Sequence, residues 1–242
     1  AFAWTGVDAN ADDGSTITVD ATSLSSFAAT IDMTAEANAS VVIKGGAGAD
    51  VITISASDLA ESVTAGAGAD SIVFASANLT SIDVIDGGAG TDTMKASNET
   101  AIVDADFTNV TNVEVLSGNA ATTAVIATIG AEAMEAGIRT VTFVDTAAGT
   151  DDLTVAAAFT AALTVNLDAG ANVNTVTASA YTGNLTVAAT GTVMAATTHV
   201  VTGGTSSSDT LQVTADGAAA GTTSFVTDIE NVTVVGDAGT FA

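Results

Sequence analysis

KGGAGADVIT, residues 44–53, places three glycines and an aspartate within six positions, directly ahead of an alternating apolar run. The phrase returns as AGAGADSIV (65–73) and GGAGTDTMK (87–95). Aligned on Asp50, Asp70 and Asp92, the copies stand 20 and 22 residues apart. A glycine precedes each aspartate by two places (Gly48, Gly68, Gly90), and an apolar residue follows it by two (Ile52, Ile72, Met94). Glycine admits the positive-φ turns that a tight loop needs. The apolar residue then points inward as a strand begins. A hairpin turn accounts for any one copy, whereas three copies in phase point to a repeat.

The repeated phrase is the nonapeptide G-G-x-G-x-D-x-U-x, which reads physically as a calcium-binding parallel β-helix. Strands of neighbouring coils lie ~4.8 Å apart and calcium–oxygen distances are ~2.4 Å. An ion midway between two stacked turns therefore reaches a carboxylate from each. Calcium takes six to eight oxygens, so glycine carbonyls must complete its shell. The expected ligand set is Gly45, Gly46, Gly48 and Asp50, then Gly66, Gly68 and Asp70, then Gly87, Gly88, Gly90 and Asp92. Two Ca2+ ions are expected, one between 50 and 70 and one between 70 and 92. The opposite edge is expected to carry ordinary turns such as SASDLAES (55–62).

Composition agrees with a thin repetitive core. Almost half of the 242 residues are apolar, yet aromatics make up only 4%, so Ala, Val, Ile and Leu must build the interior. Three Lys+Arg against 28 Asp+Glu give a net charge of −25. Nucleic acid and anionic lipid need clustered basic residues and are excluded as partners; cations are the natural counterpart. There is no cysteine, hence no disulfide frame and no thiolate metal site. No apolar span is long enough for a membrane-crossing helix. The chain starts at Ala1, and AFAW is too short for a signal peptide, which suggests a processed product or a fragment.

Short β-branched runs recur at 40–44, 51–55, 71–74, 82–86, 140–145, 153–156, 162–167, 184–189, 199–202, 210–214 and 231–235, separated by Gly, Asn, Asp, Ser or Thr. The fold expected is all-β: a parallel β-helix or β-roll solenoid over residues 1–242. One short helical decoration is expected at 131–136, ended by Gly137. A soft boundary within 96–140 separates a calcium-binding part (1–118) from an ion-poor part (138–242). In that second part TAAGTDDLT (146–154) keeps Gly149 and Asp151, and GTSSSDTLQ (204–212) keeps Gly204 and Asp209. Asp151 and Asp209 are the weaker metal candidates. DANADDG (8–14) hints at an EF-hand loop, but Asp13 stands where the glycine should, so an Asx-rich turn is the better reading.

No catalytic residue is expected. Asp151 and Asp152 are adjacent on a strand and point to opposite faces. His199, Ser206 and Asp209 lack a G-x-S-x-G elbow. Lys44, Lys95 and Arg139 are too few for a substrate clamp. Phe2 and Trp4 are the expected anchors for a neighbouring subunit.

The motifs resemble those of the RTX (repeats-in-toxin) family. The 45–52 and 87–94 copies match the nonapeptide, the latter with Met94 as a loose fit, while the middle copy has Ala65 at its first glycine. The low-lysine, Thr/Ala/Val-rich, cysteine-free background is most similar to calcium-dependent surface-layer proteins of Gram-negative bacteria. That resemblance implies type I secretion, an extracellular or cell-surface location, calcium ligation by the motif residues, and self-assembly into a lattice or filament. A cell-surface polysaccharide is a second expected partner. The alternative is an adhesin segment, or the secretion and folding module of a larger RTX protein.

Overall fold

The computed structural model describes residues 2–8, 11–98, 101–119, 123–144, 150–167, 173–196, 199–215 and 226–236. Its first strands are β1 (Phe2–Val7), β2 (Thr16–Asp20), β3 (Ala29–Ala35), β4 (Ser40–Lys44), β5 (Val51–Thr53), β6 (Glu61–Thr64), β7 (Ser71–Phe74), β8 (Val84–Asp86), β9 (Thr93–Ala96) and β10 (Val110–Thr111). There follow β11 (Val115–Gly118), β12 (Ile126–Ile129), β13 (Thr140–Thr142), β14 (Asp152–Val155), β15 (Leu163–Asn166), β16 (Thr175–Thr177), β17 (Leu185–Thr190), β18 (Val200–Thr202), β19 (Thr210–Ala215), β20 (Val226–Thr227) and β21 (Asn231–Gly236). The helices are α1 (Ala131–Ala136) and α2 (Gly191–Ala196).

Odd-numbered strands form one 11-stranded parallel wall, in chain order from β1 to β21. Even-numbered strands form the facing wall as two five-stranded sheets, β2 to β10 and β12 to β20. Each coil thus contributes one strand to each wall, and the chain is an all-β parallel solenoid. Period-two burial explains the packing. Ile31, Ile52, Ile72, Met94 and Leu116 stand in register on the long wall and are buried. The column continues through Val141, Val165 and Val187 to Leu211. On the outer face of the second short sheet, Thr128, Thr154, Thr177, Thr202 and Thr227 form another registered column. Stacked β-branched residues suit such a ladder.

The facing wall divides inside the 96–140 interval, whereas the long wall passes through β9, β11 and β13 uninterrupted. Between β9 and β10, Ile102 bridges to Ala127 of β12 while Val110 pairs with Ile85 of β8. A 3₁₀ turn, Asp104–Phe107, sits at the division with Phe107 buried in the core. Helix α1 packs against that turn and β10. Its own N-cap, Gly130, makes no side-chain bond. Asp104 caps it from outside instead, accepting the N–H groups of Gly130 at 2.6 Å, Ala133 at 3.0 Å and Glu132 at 3.3 Å. Gly137 ends the helix at φ 112°, as a C-terminal glycine should.

Helix α2 was not foreseen. Gly, Thr and Val at 191–193 are weak helix formers, so tertiary burial of Val193 and Met194 carries it. At the other end, residues 11–15 do form a turn, with the Ser15 N–H on the Asp12 carbonyl at 2.9 Å and Gly14 at φ 74°. Asn10 lies outside the described residues.

The two walls meet along two edges. The first carries the connections from even to odd strands, and the second those from odd to even.

Candidate metal centre

All three glycine phrases lie on the first edge. The turn with Gly45, Gly46, Gly48 and Asp50 joins β4 to β5; that with Gly66, Gly68 and Asp70 joins β6 to β7; that with Gly87, Gly88, Gly90 and Asp92 joins β8 to β9. They stack directly. Ala67 donates to the Gly46 carbonyl at 3.0 Å and Ala89 to the Gly66 carbonyl at 2.8 Å. The stack is too tight for side chains at key places: Gly90 has φ 149°, and a Cβ there would overlap the Gly68 carbonyl oxygen.

Asp50, Asp70 and Asp92 are only 1%, 2% and 0% exposed. One oxygen of each accepts the N–H at the equivalent position one coil earlier. Asp50 Oδ1 takes Ala29 N–H at 2.6 Å, Asp70 Oδ1 takes Asp50 N–H at 2.7 Å, and Asp92 Oδ1 takes Asp70 N–H at 2.7 Å. Glu114 extends the series with Oε2 on Asp92 N–H at 2.8 Å. These N–H groups lie just ahead of the strand ladder, and left bare they would be costly to bury. The carboxylates are therefore part of the stacking mechanism itself.

The second oxygens differ. Asp50 Oδ2 accepts Gly46 N–H at 2.7 Å and closes its own turn. Asp70 Oδ2 and Asp92 Oδ2 are buried with no hydrogen-bond partner among the described residues. Burial holds Asp70 above its ordinary range against the pull of the Asp50 N–H. Burial likewise pushes Asp92 up to about 6, and the neighbouring charges of Asp70, Glu114 and Asp86 add to the effect. The charges that reach Asp92 are all negative, and its Oδ2 is the acceptor left open to an arriving cation.

Orphaned, buried carboxylate oxygens in a stack of glycine turns fit a hard, oxygen-loving cation such as calcium. Among the described residues no group of three or more His, Cys, Asp or Glu is placed to share an ion. An ion between the second and third turns could draw on the open oxygens of Asp70 and Asp92. One between the first and second would find Asp70 Oδ2 open but would have to displace the Gly46 N–H from Asp50 Oδ2. Either must take its remaining oxygens from turn carbonyls.

The two weaker candidates part company. Asp209 lies on the first edge and in the same column, but both its oxygens are engaged, Oδ1 by Leu185 N–H at 2.9 Å and Oδ2 by Gly204 N–H at 2.6 Å. Glu230 then accepts Asp209 N–H at 3.1 Å. Asp151 lies on the second edge, ahead of β14, where Oδ1 takes Val125 N–H at 2.6 Å and Oδ2 the Asn174 side-chain amide at 3.0 Å. Its neighbour Gly149 is outside the described residues. Asn174 N–H in turn donates to His199 Nδ1 at 3.3 Å, and His199 Nε2 meets the Val193 carbonyl at 3.1 Å. His199 is thereby held on the second edge, away from Ser206 and Asp209 on the first.

Sequence reasoning did not single out Glu114, nor Glu36, Glu61 and Asp83, which are buried on the second edge. The signal that could have found Glu114 and Asp83 is a carboxylate immediately or almost immediately ahead of a β-branched run. No protein-family model, no curated protein and no solved structure matches this chain.

Proposed function

We propose that this chain is an extracellular structural protein whose glycine turns take calcium between coils and whose copies join into a calcium-dependent surface layer or filament, in the manner of RTX-type surface-layer proteins. The observation that carries the calcium reading is the pair of buried, unpartnered oxygens on Asp70 and Asp92 inside a stack of three carboxylates. The charge of −25 supports it, because such a chain repels itself until cations arrive. In a low-calcium cytoplasm the carboxylates repel one another, the coil stack is only marginally stable and the chain stays export-competent. Outside the cell the ions neutralise the turns and the coils stack. Motif aspartates and glycine carbonyls act as ligands in this reading, and no residue acts catalytically.

Self-association is supported by strand edges. Among the described residues β21 pairs only with β19, and its six residues are all exposed. Val232 and Val234 continue the inward register of Leu211 and Val213 and are exposed. At the opposite end Trp4 stands in register with Ile31 and Phe2 is partly exposed. Open parallel edges accept another strand. That strand can come from a second copy, or from further coils of a longer RTX adhesin or secretion module, which is the alternative reading.

A calcium titration followed by far-UV circular dichroism and light scattering separates these. Rising β signal together with rising particle size supports the layer or filament. β signal without growth supports the module. A chain equally β-rich and monomeric in chelator and in millimolar calcium would refute both.

A further inference from the structure

The second edge holds its own buried carboxylates. Glu36, Glu61 and Asp83 come from successive coils and are 0%, 2% and 3% exposed. Asp83 is fully used: Oδ1 accepts Glu61 N–H at 2.9 Å, and Oδ2 accepts the Thr80 N–H at 2.8 Å and its hydroxyl at 3.0 Å. Glu36 and Glu61 are not. Glu36 Oε1 takes Asn38 N–H at 3.1 Å and Ala39 N–H at 3.0 Å, while Glu61 Oε1 takes Ser55 N–H at 2.7 Å. Oε2 of each is buried with no partner among the described residues. The two residues flank Ser55: its own N–H goes to the Glu61 carboxylate, and the next N–H along the chain, that of Ala56, goes to the Glu36 backbone carbonyl at 2.9 Å. Glu61 shares the inward face of β6 with Val63. The buried hydroxyl oxygens of Ser55 and Ser57 lie in the same turn.

None of the three basic residues approaches this edge. Lys44 ends β4 beside the first edge, Lys95 is within β9, and Arg139 directly precedes β13 on the first edge. Two buried carboxylates that each leave one oxygen unpaired on the same edge, with no basic side chain near, are too costly to leave charged. Burial pushes Glu61 up to about 7, and the negative charge of Asp83 works in the same direction.

We infer that a hard divalent cation of the calcium class is also held on the second edge, between Glu36 and Glu61, by their free carboxylate oxygens and the surrounding serine and backbone oxygens. This site shares no residue with the glycine turns and does not rest on their calcium. It would pin the coil junction opposite the motif stack, so that ions close both edges of the same coils.

The test is equilibrium dialysis of the whole chain against calcium, comparing wild type, Glu61→Gln and Asp92→Asn. Glu61→Gln is expected to bind one ion fewer per chain while keeping the ion that Asp92→Asn removes, and the double variant is expected to lose both. An unchanged ion count in Glu61→Gln overturns the inference and means that a proton, not a metal, neutralises the pair. Should that variant fail to fold, anomalous diffraction from terbium-soaked wild-type crystals decides. A peak in bonding contact with Glu36 and Glu61 is the expected result, and peaks confined to the glycine turns overturn it.

Discussion

In the proposed reading Asp92 both accepts a backbone N–H and ligates calcium, and Asp92→Asn separates the two roles. The amide keeps an oxygen to accept the Asp70 N–H, now made at 2.7 Å, and replaces the orphaned Oδ2 with an uncharged NH2. Holding Asp92 at about 6 instead of its ordinary 3.8 corresponds to about 3 kcal/mol at neutral pH without screening. Screening by solvent reduces this to roughly 1–2 kcal/mol. In chelator, therefore, the variant should be more stable than wild type by that amount. In calcium the sign should reverse. With Kd of about 10⁻⁴ M, as in extracellular modules, and calcium near 10 mM, one bound ion adds about 2.7 kcal/mol. Losing it leaves the variant less stable by roughly 1–2 kcal/mol. The assay is denaturant unfolding at pH 7.5 followed by far-UV circular dichroism, with and without calcium. A variant weakened equally in both conditions would refute the reasoning, because the carboxylate would then be a backbone acceptor and nothing more.

Two further outcomes are expected. Gly90→Ala combines a backbone conformation reserved for glycine, φ 149°, with overlap on the Gly68 carbonyl; strain of about 1–3 kcal/mol and a similar overpacking cost should lower the unfolding midpoint in chelator and calcium alike, and a loss below roughly 0.5 kcal/mol would contradict the tight stacking. In chelator, stability should fall as pH rises. Glu61 is pushed up from 4.5 to about 7, so the folded chain holds a proton that the unfolded chain releases; its contribution is fully present below about pH 4.5 and is lost as pH passes about 7, about 3 kcal/mol in total. Glu61→Gln should flatten this part of a pH series of unfolding midpoints, and an unchanged slope would assign it to other groups.

Much of the architecture was legible because it repeats. Aspartates 20 and 22 residues apart, each with a glycine two places before and an apolar residue two places after, specify a coil, a turn and an inward column, and Asp50, Asp70 and Asp92 do stack. The run at 131–136 and its terminal Gly137 were equally plain, since helix formers followed by a positive-φ glycine are local chemistry. Strand β3 was less visible, because Asp32 and Thr34 interrupt the apolar pattern from the outer face while Ile31 and Met33 fill the inner one.

The amino-acid sequence by itself thus determined a parallel solenoid with its glycine turns in phase, because turn chemistry acts within a dozen residues and the period is written directly in the chain. Which edge each later segment occupies was decided only by the tertiary structure. Asp151 carries the motif's look yet precedes an even-numbered strand, so it faces Asn174 rather than the Asp92 column. The same holds for the orphaned oxygens of Glu36, Glu61, Asp70 and Asp92. Whether a carboxylate is buried, and what it finds there, depends on the coil stacked above or below it, some twenty residues away along the chain and about 4.8 Å away in space.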